Sequence, residues 1–129
     1  MSATEQVAGS RVDIADAGVD GWAPICAFTR LTPDRGVAAL VGGRAVAVFL
    51  LSDGSLHAID NVDPISGASI LSRGLIGDVD GTPTVASPMF KQRFDLASGR
   101  CIDSTGVAVT VHDVGLLDDV IHVRLLGSA

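Results

Sequence analysis

Two short segments gather the residue types that could do chemistry. The first is Asp63-Pro64-Ile65-Ser66-Gly67-Ala68. The second is Ser87-Pro88-Met89-Phe90-Lys91-Gln92-Arg93, continuing through Phe94-Asp95-Leu96-Ala97-Ser98-Gly99. Each opens with an oxygen donor followed by proline. Asp63 could bind a hard cation, but one carboxylate cannot hold a metal cluster. Ser87 is a poor ligand for iron at neutral pH, and Ile65 and Phe90 carry no donor atom. What the tips offer is apolar: Ile65, Met89 and Phe90. Either these side chains pack on each other and pin the loops together, or they stay exposed with Pro64 and Pro88 as a docking patch, since clustered exposed apolar groups mark interfaces. Both hold if Phe90 points in and Met89 out. Lys91 and Arg93 flank the patch as a solvated or interfacial charged rim.

The other candidates are isolated. Cys26 and Cys101 have no metal-type spacing. Cys26 sits in the apolar run Ala23 to Phe28 and reads as a small buried hydrophobe. Neither thiol has a neighbouring base in sequence that would activate it. If the last hairpin turns about Leu117, His112 and His122 face each other outward, about 5 Å apart at Cβ. No third ligand is apparent, so the pair is expected to be ordinary and exposed. His57 reads as structural. Asp95 is expected to cap backbone N–H groups of the turn ending at Gly99.

These residues must be positioned by strands. From Trp22 onward the chain is a string of short apolar, β-branched segments broken by turn residues, the pattern of an all-β domain. Strands are predicted over Trp22–Ala27, Val37–Val41, Arg44–Leu51, Leu56–Ile59, Thr84–Ser87 and Arg93–Leu96. Gly42-Gly43 and Asp53-Gly54 supply tight turns. From Asn61 to Thr82, frequent Gly and Pro predict loops with at most short elements, including a turn at Ser69–Ser72. Val107, Val109 and Val111 alternate with Ala108, Thr110 and His112. Ile121, Val123 and Leu125 alternate with Val120, His122 and Arg124. Both are half-buried strand patterns.

The chain has 129 residues and a net charge of −6. That length fits one domain with a self-sufficient core. The positive charges are scattered, which argues against nucleic-acid binding. The longest apolar run, Ala45 to Leu51, is far short of the ~20 residues of a membrane span. The first 21 residues include Glu5, Arg11, Asp13 and Asp16 and no apolar segment, so no secretory signal is expected. We expect residues 1–21 to form a flexible N-terminal segment and residues 22–126 the folded domain.

The two segments resemble the loops of a Rieske iron–sulfur protein (ISP) domain. A Rieske ferredoxin has Cys-Pro-His-x-Gly-Ala in its first loop, and Cys-Pro-x-His-Gly followed by x-x-Phe-Asp-x-x-x-Gly in its second. Pro64, Gly67, Pro88, Phe94, Asp95 and Gly99 match that frame. Asp63, Ile65, Ser87 and Phe90 stand at the four ligand positions, where two thiolates and two imidazoles would hold the irons. With Ala58 to Ala68, Leu71-Ser72-Arg73-Gly74 and Ala86 to Leu96, the chain is similar to the NirD family, the small subunit of assimilatory NAD(P)H-dependent nitrite reductase. The resemblance runs from about Trp22 to Leu125. It implies an antiparallel β-sandwich with a small loop-built cap. It also implies a cytoplasmic subunit that is not catalytic alone and carries no cofactor. Its partner would be a large subunit bearing FAD, sirohaem and [4Fe–4S], which reduces nitrite to ammonium. The competing readings are a free-standing binding module built on the empty cluster site, and an electron-transfer ferredoxin.

Overall fold

A computed structural model describes residues 21–126. The expected flexible segment, Gly21 apart, lies outside the described residues. The described chain is built almost wholly from antiparallel strands: β1 (Trp22–Ala27), β2 (Arg35–Val41), β3 (Arg44–Leu50), β4 (Leu56–Asp60), β5 (Leu75–Val79), β6 (Thr82–Ala86), β7 (Arg93–Asp95), β8 (Val111–Leu117) and β9 (Val120–Arg124). Two single-turn 3-10 helices, Phe28–Arg30 and Leu71–Arg73, join them. The main sheet runs β1-β9-β8-β4-β3-β2 and the small one β5-β6-β7. The ends of the main sheet, β1 and β2, approach each other, so it curls toward a barrel.

Period-two alternation in β3 explains how one sheet serves two cores. Val46, Val48 and Leu50 point into the curl, where they meet Leu56, Ala58, Val114, Leu116, Ile121 and Val123. Ala47 and Phe49 point the other way, onto Ile59, Leu71, Val85, Phe94 and Leu96. Leu71, Val85, Phe94 and Leu96 come from the insertion carrying the small sheet. A central strand buried on both faces must be apolar throughout, which is why Ala45 to Leu51 is the longest apolar run.

The turns follow local chemistry. Gly42 and Gly43 adopt φ of +57° and +81° and close the β2–β3 hairpin, the conformation a two-residue loop needs to match strand twist. The Asp118-Asp119 turn does the same without glycine, at +51° and +64°. β1, an edge strand, accommodates Pro24 beside a bulge between Pro24 and Cys26.

Within the stretch read as loops with at most short elements, β5 pairs with β6 over Leu75–Val79, so the cap carries a small sheet. Two expectations need correction. The strand expected around Val107–His112 runs instead over Val111–Leu117. Val107, Val109 and Val111 do share a face, on the second core, but Arg100 and Cys101 bridge to the approach segment, not to β9. Because the last hairpin turns at Asp118-Asp119, His122 lies opposite Gly115, and His112 pairs with Ala58 of β4.

Candidate functional site

The two loops share one construction, repeated a third time at Asp95. In the first, Asp63 N–H donates to Ala68 O at 2.8 Å and Gly67 N–H returns to Asp63 O at 2.7 Å. In the second, Ser87 N–H donates to Gln92 O at 2.8 Å and Lys91 N–H returns to Ser87 O at 2.9 Å. At the third, Asp95 N–H donates to Arg100 O at 2.9 Å and Gly99 N–H returns to Asp95 O at 2.7 Å. The residue making each return bond has positive φ: Gly67 at +78°, Lys91 at +66° and Gly99 at +82°. The opening side chain holds the tip by accepting from the N–H two residues on: Asp63 Oδ1 from Ile65 at 2.8 Å, Ser87 Oγ from Met89 at 3.3 Å and Asp95 Oδ1 from Ala97 at 2.7 Å. Asp95 thus caps its turn as expected. Gly99 is also sterically required, since a Cβ there would lie 2.1 Å from Val109 O.

The loops are joined by oxygen. Ser87 Oγ donates to Asp63 Oδ2 at 2.6 Å, and both residues are fully buried. Burial pushes the Asp63 carboxyl up, but hydrogen bonds from Ser87, Ile65 and Ser66 outweigh it and hold the carboxyl below its ordinary range. The packing alternative for the apolar tips is thereby corrected. Ile65 is 37% exposed, Met89 52% and Phe90 53%, so Phe90 does not point inward and a polar pair pins the loops. Pro64, Pro88 and Lys91 are also exposed. Arg93 is engaged by Asp103, with Nη2–Oδ1 at 2.7 Å and Nε–Oδ2 at 3.1 Å. That pairing draws the Asp103 carboxyl down to about 2.

Asn61, which has no motif to advertise it, shapes the base of the first loop. It is buried; its Oδ1 accepts from Ser72 N–H at 2.7 Å and its Nδ2 donates to Ser69 Oγ at 2.8 Å. The chain from Asn61 to Ser72 is thereby closed on itself.

The histidines are structural, and the expectation of an exposed pair is corrected. His112 is fully buried. Its Nδ1 accepts from Leu126 N–H at 2.9 Å, which leaves Nε2–H to donate to Asp60 Oδ1 at 2.7 Å. The Arg44 guanidinium binds both oxygens of the same carboxylate at 3.0 Å. His122 Nδ1 lies 3.0 Å from its own strand's Val120 O. His57 reaches Ser55 Oγ at 3.0 Å, and burial lowers its pKa. Cys26 and Cys101 are free thiols. Cys26 is only partly buried against the first core, and that burial raises its pKa.

A [2Fe–2S] cluster does not fit these residues. Ile65 and Phe90 offer no lone pair, and the two oxygen side chains are spent on each other at 2.6 Å. Among the described residues no group of three or more His, Cys, Asp or Glu is placed to hold a metal, and no helix is long and apolar enough to cross a membrane.

The sequence matches the family described as Rieske-like [2Fe–2S] domain over residues 21–124. It is 41% identical over 104 residues to the nitrite reductase (NADH) small subunit of Salmonella typhimurium, covering 80% of this chain and 96% of that one. The NMR structure of Escherichia coli NirD superposes with a TM-score of 0.75 at 37% identity, covering 82% of this chain and 97% of that one. A stretch of 88 residues is 42% identical to part of the nitrite reductase [NAD(P)H] large subunit of Klebsiella oxytoca, covering 68% of this chain and 9% of that protein. On these matches, and on loops that keep the Rieske frame around an oxygen pair, the chain belongs to the NirD family of Rieske-like nitrite reductase small subunits.

Proposed function

We propose that this chain serves an NAD(P)H-dependent nitrite reductase as a subunit without a redox centre of its own, docking on the large subunit through its loop tips. The observation that carries this reading is the exposure of Ile65, Met89 and Phe90 on loops held rigid from within. Exposed apolar side chains on a fixed frame lose little entropy on binding, and a few such residues dominate interface energy. Pro64 and Pro88 extend the apolar centre. Arg93 is neutralised by Asp103, so Lys91 supplies the rim charge. The large subunit would carry the FAD, sirohaem and [4Fe–4S] needed to move electrons from NAD(P)H to nitrite, in the cytoplasm. The Klebsiella oxytoca match supports the pairing, because there a related sequence lies within the large subunit's own chain.

The test is Met89→Asp. The isolated variant should unfold at the wild-type temperature, since Met89 is half exposed, yet co-purify poorly with the large subunit and support less nitrite-dependent NAD(P)H oxidation. Unchanged assembly would move the interface off the loop tips. A purified chain with two irons and acid-labile sulfide would return the ferredoxin reading. Wild-type chain that never associates with the large subunit would favour the free-standing module.

A further inference from the structure

Where the two sheets meet, a cleft of about 390 Å³ is lined by Asp34, Arg35 and Gly36 on one side and by the segment Ser72 to Leu75 on the other. Its walls are backbone in close approach. A Cβ on Gly36 would lie 2.4 Å from Ser72 O, and one on Gly74 would lie 2.4 Å from Ala86 O. The 3-10 turn Leu71–Arg73 is therefore wedged between β2 and β6, with Leu71 fully buried and Ser72 N–H fixed by Asn61. On this rigid seat Arg35 and Arg73 are both exposed.

Arg44, Arg93 and Arg124 each pair with a carboxylate. Arg35 and Arg73, like Arg30 and Arg100, make no ion pair among the described residues, but Arg35 and Arg73 share one cleft in a chain of net charge −6. Asp34 also lines the cleft, and its carboxylate is held by Ser52, accepting from Ser52 N–H at 3.0 Å and from the Ser52 hydroxyl. At the edge of the cleft Leu75 is 74% exposed, and it pairs with Ala86, the residue before Ser87.

We infer that the Arg35–Arg73 cleft receives a carboxylate side chain from an acidic segment of the nitrite reductase large subunit, with Leu75 as the adjoining apolar contact. The inference rests on the assembly proposed above. Charge selects the occupant: an acidic molecule that concentrates two unpaired guanidinium groups in one rigid cleft is built to meet a carboxylate, which arginine grips with two parallel N–H bonds. Electrostatic pairs of this kind steer encounter as well as hold register.

The experiment measures the affinity of full-length chain for the large subunit at low and high salt. It compares wild type, Arg35→Glu with Arg73→Glu, the milder Arg35→Gln with Arg73→Gln, and Met89→Asp, each checked by thermal unfolding. Charge reversal should weaken binding at least 30-fold at low salt and the neutral pair about 10-fold, both differences shrinking at high salt. Loss by Met89→Asp with none from either arginine pair would overturn this inference and leave the loop-tip interface standing. Loss from the arginine pairs but not from Met89→Asp would uphold it and remove the loop tips. A salt-independent loss would overturn it as a packing effect. So would binding of free nitrite by the isolated chain that the neutral pair abolishes, or self-association of the isolated chain that it disperses.

Discussion

Replacing Ser87 by Ala isolates the bond that joins the two loops. The change removes one oxygen and leaves no cavity large enough to matter. Its cost is therefore the loss of a hydrogen bond to an ionised carboxylate, about 1.5–3 kcal/mol. Asp63 keeps its bonds from Ile65 and Ser66, so the carboxylate is not fully orphaned and the expected cost is about 2 kcal/mol. For a domain of this size that lowers Tm by roughly 8 °C. The pH dependence gives a second readout. Asp63 titrates below its ordinary value in the folded state. Its stabilisation is complete above the unfolded carboxylate pKa of about 4 and is lost as pH falls through the lower folded value. The Ser87→Ala penalty should accordingly be full at pH 7 and shrink below about pH 4. Urea titrations at several pH values measure it. A double-mutant cycle with Asp63→Ala should be non-additive, because both changes delete the same contact. A penalty under about 0.5 kcal/mol at pH 7, or one that persists unchanged at pH 3, would refute the role given to this bond.

His112→Ala should cost about 2–4 kcal/mol by urea unfolding, because it empties a fully buried site and strips one donor from Asp60 and an acceptor from Leu126. Phe94→Ala should cost about 3–5 kcal/mol in the same assay, since Phe94 is wholly buried where the small sheet meets β3. Gly36→Ala forces a Cβ onto Ser72 O and should destabilise by about 1–3 kcal/mol or abolish soluble expression. Breaking the exposed Arg93–Asp103 pair with Arg93→Gln should leave Tm nearly unchanged in calorimetry, because water screens an exposed ion pair.

What the sequence conveys about this fold is set by how local each signal is. Trp22–Ala27 and the strand beginning at Arg44 are legible because their patterns sit within single strands. The Gly42-Gly43 and Asp95–Gly99 turns are legible because their residue types demand the geometry. β5 escaped notice because Gly77 and Asp78 lower its strand propensity and Gly74 and Gly81 bracket it; its pairing with β6, not its composition, makes it a strand. The histidine register failed at a turn. Asp118 and Asp119 adopt positive φ without a glycine to mark the spot, and the resulting shift sets His122 opposite Gly115, while His112 shares its face with buried Val114 and Leu116. In the loops, the missing donors at Ile65 and Phe90 could be read directly. The Ser87–Asp63 bond could not, since it spans 24 positions and exists only once both loops are in place.

That bond also frees the subunit from a supply problem. A domain whose loops are clasped by a cluster cannot mature until iron and sulfide are delivered, and it is vulnerable wherever oxidants dismantle the cluster. Here the clasp is a serine proton shared with a carboxylate, both encoded in the chain and both complete when translation ends. Closing these two loops therefore needs no iron, and the domain can reach this shape under iron starvation or oxidative stress.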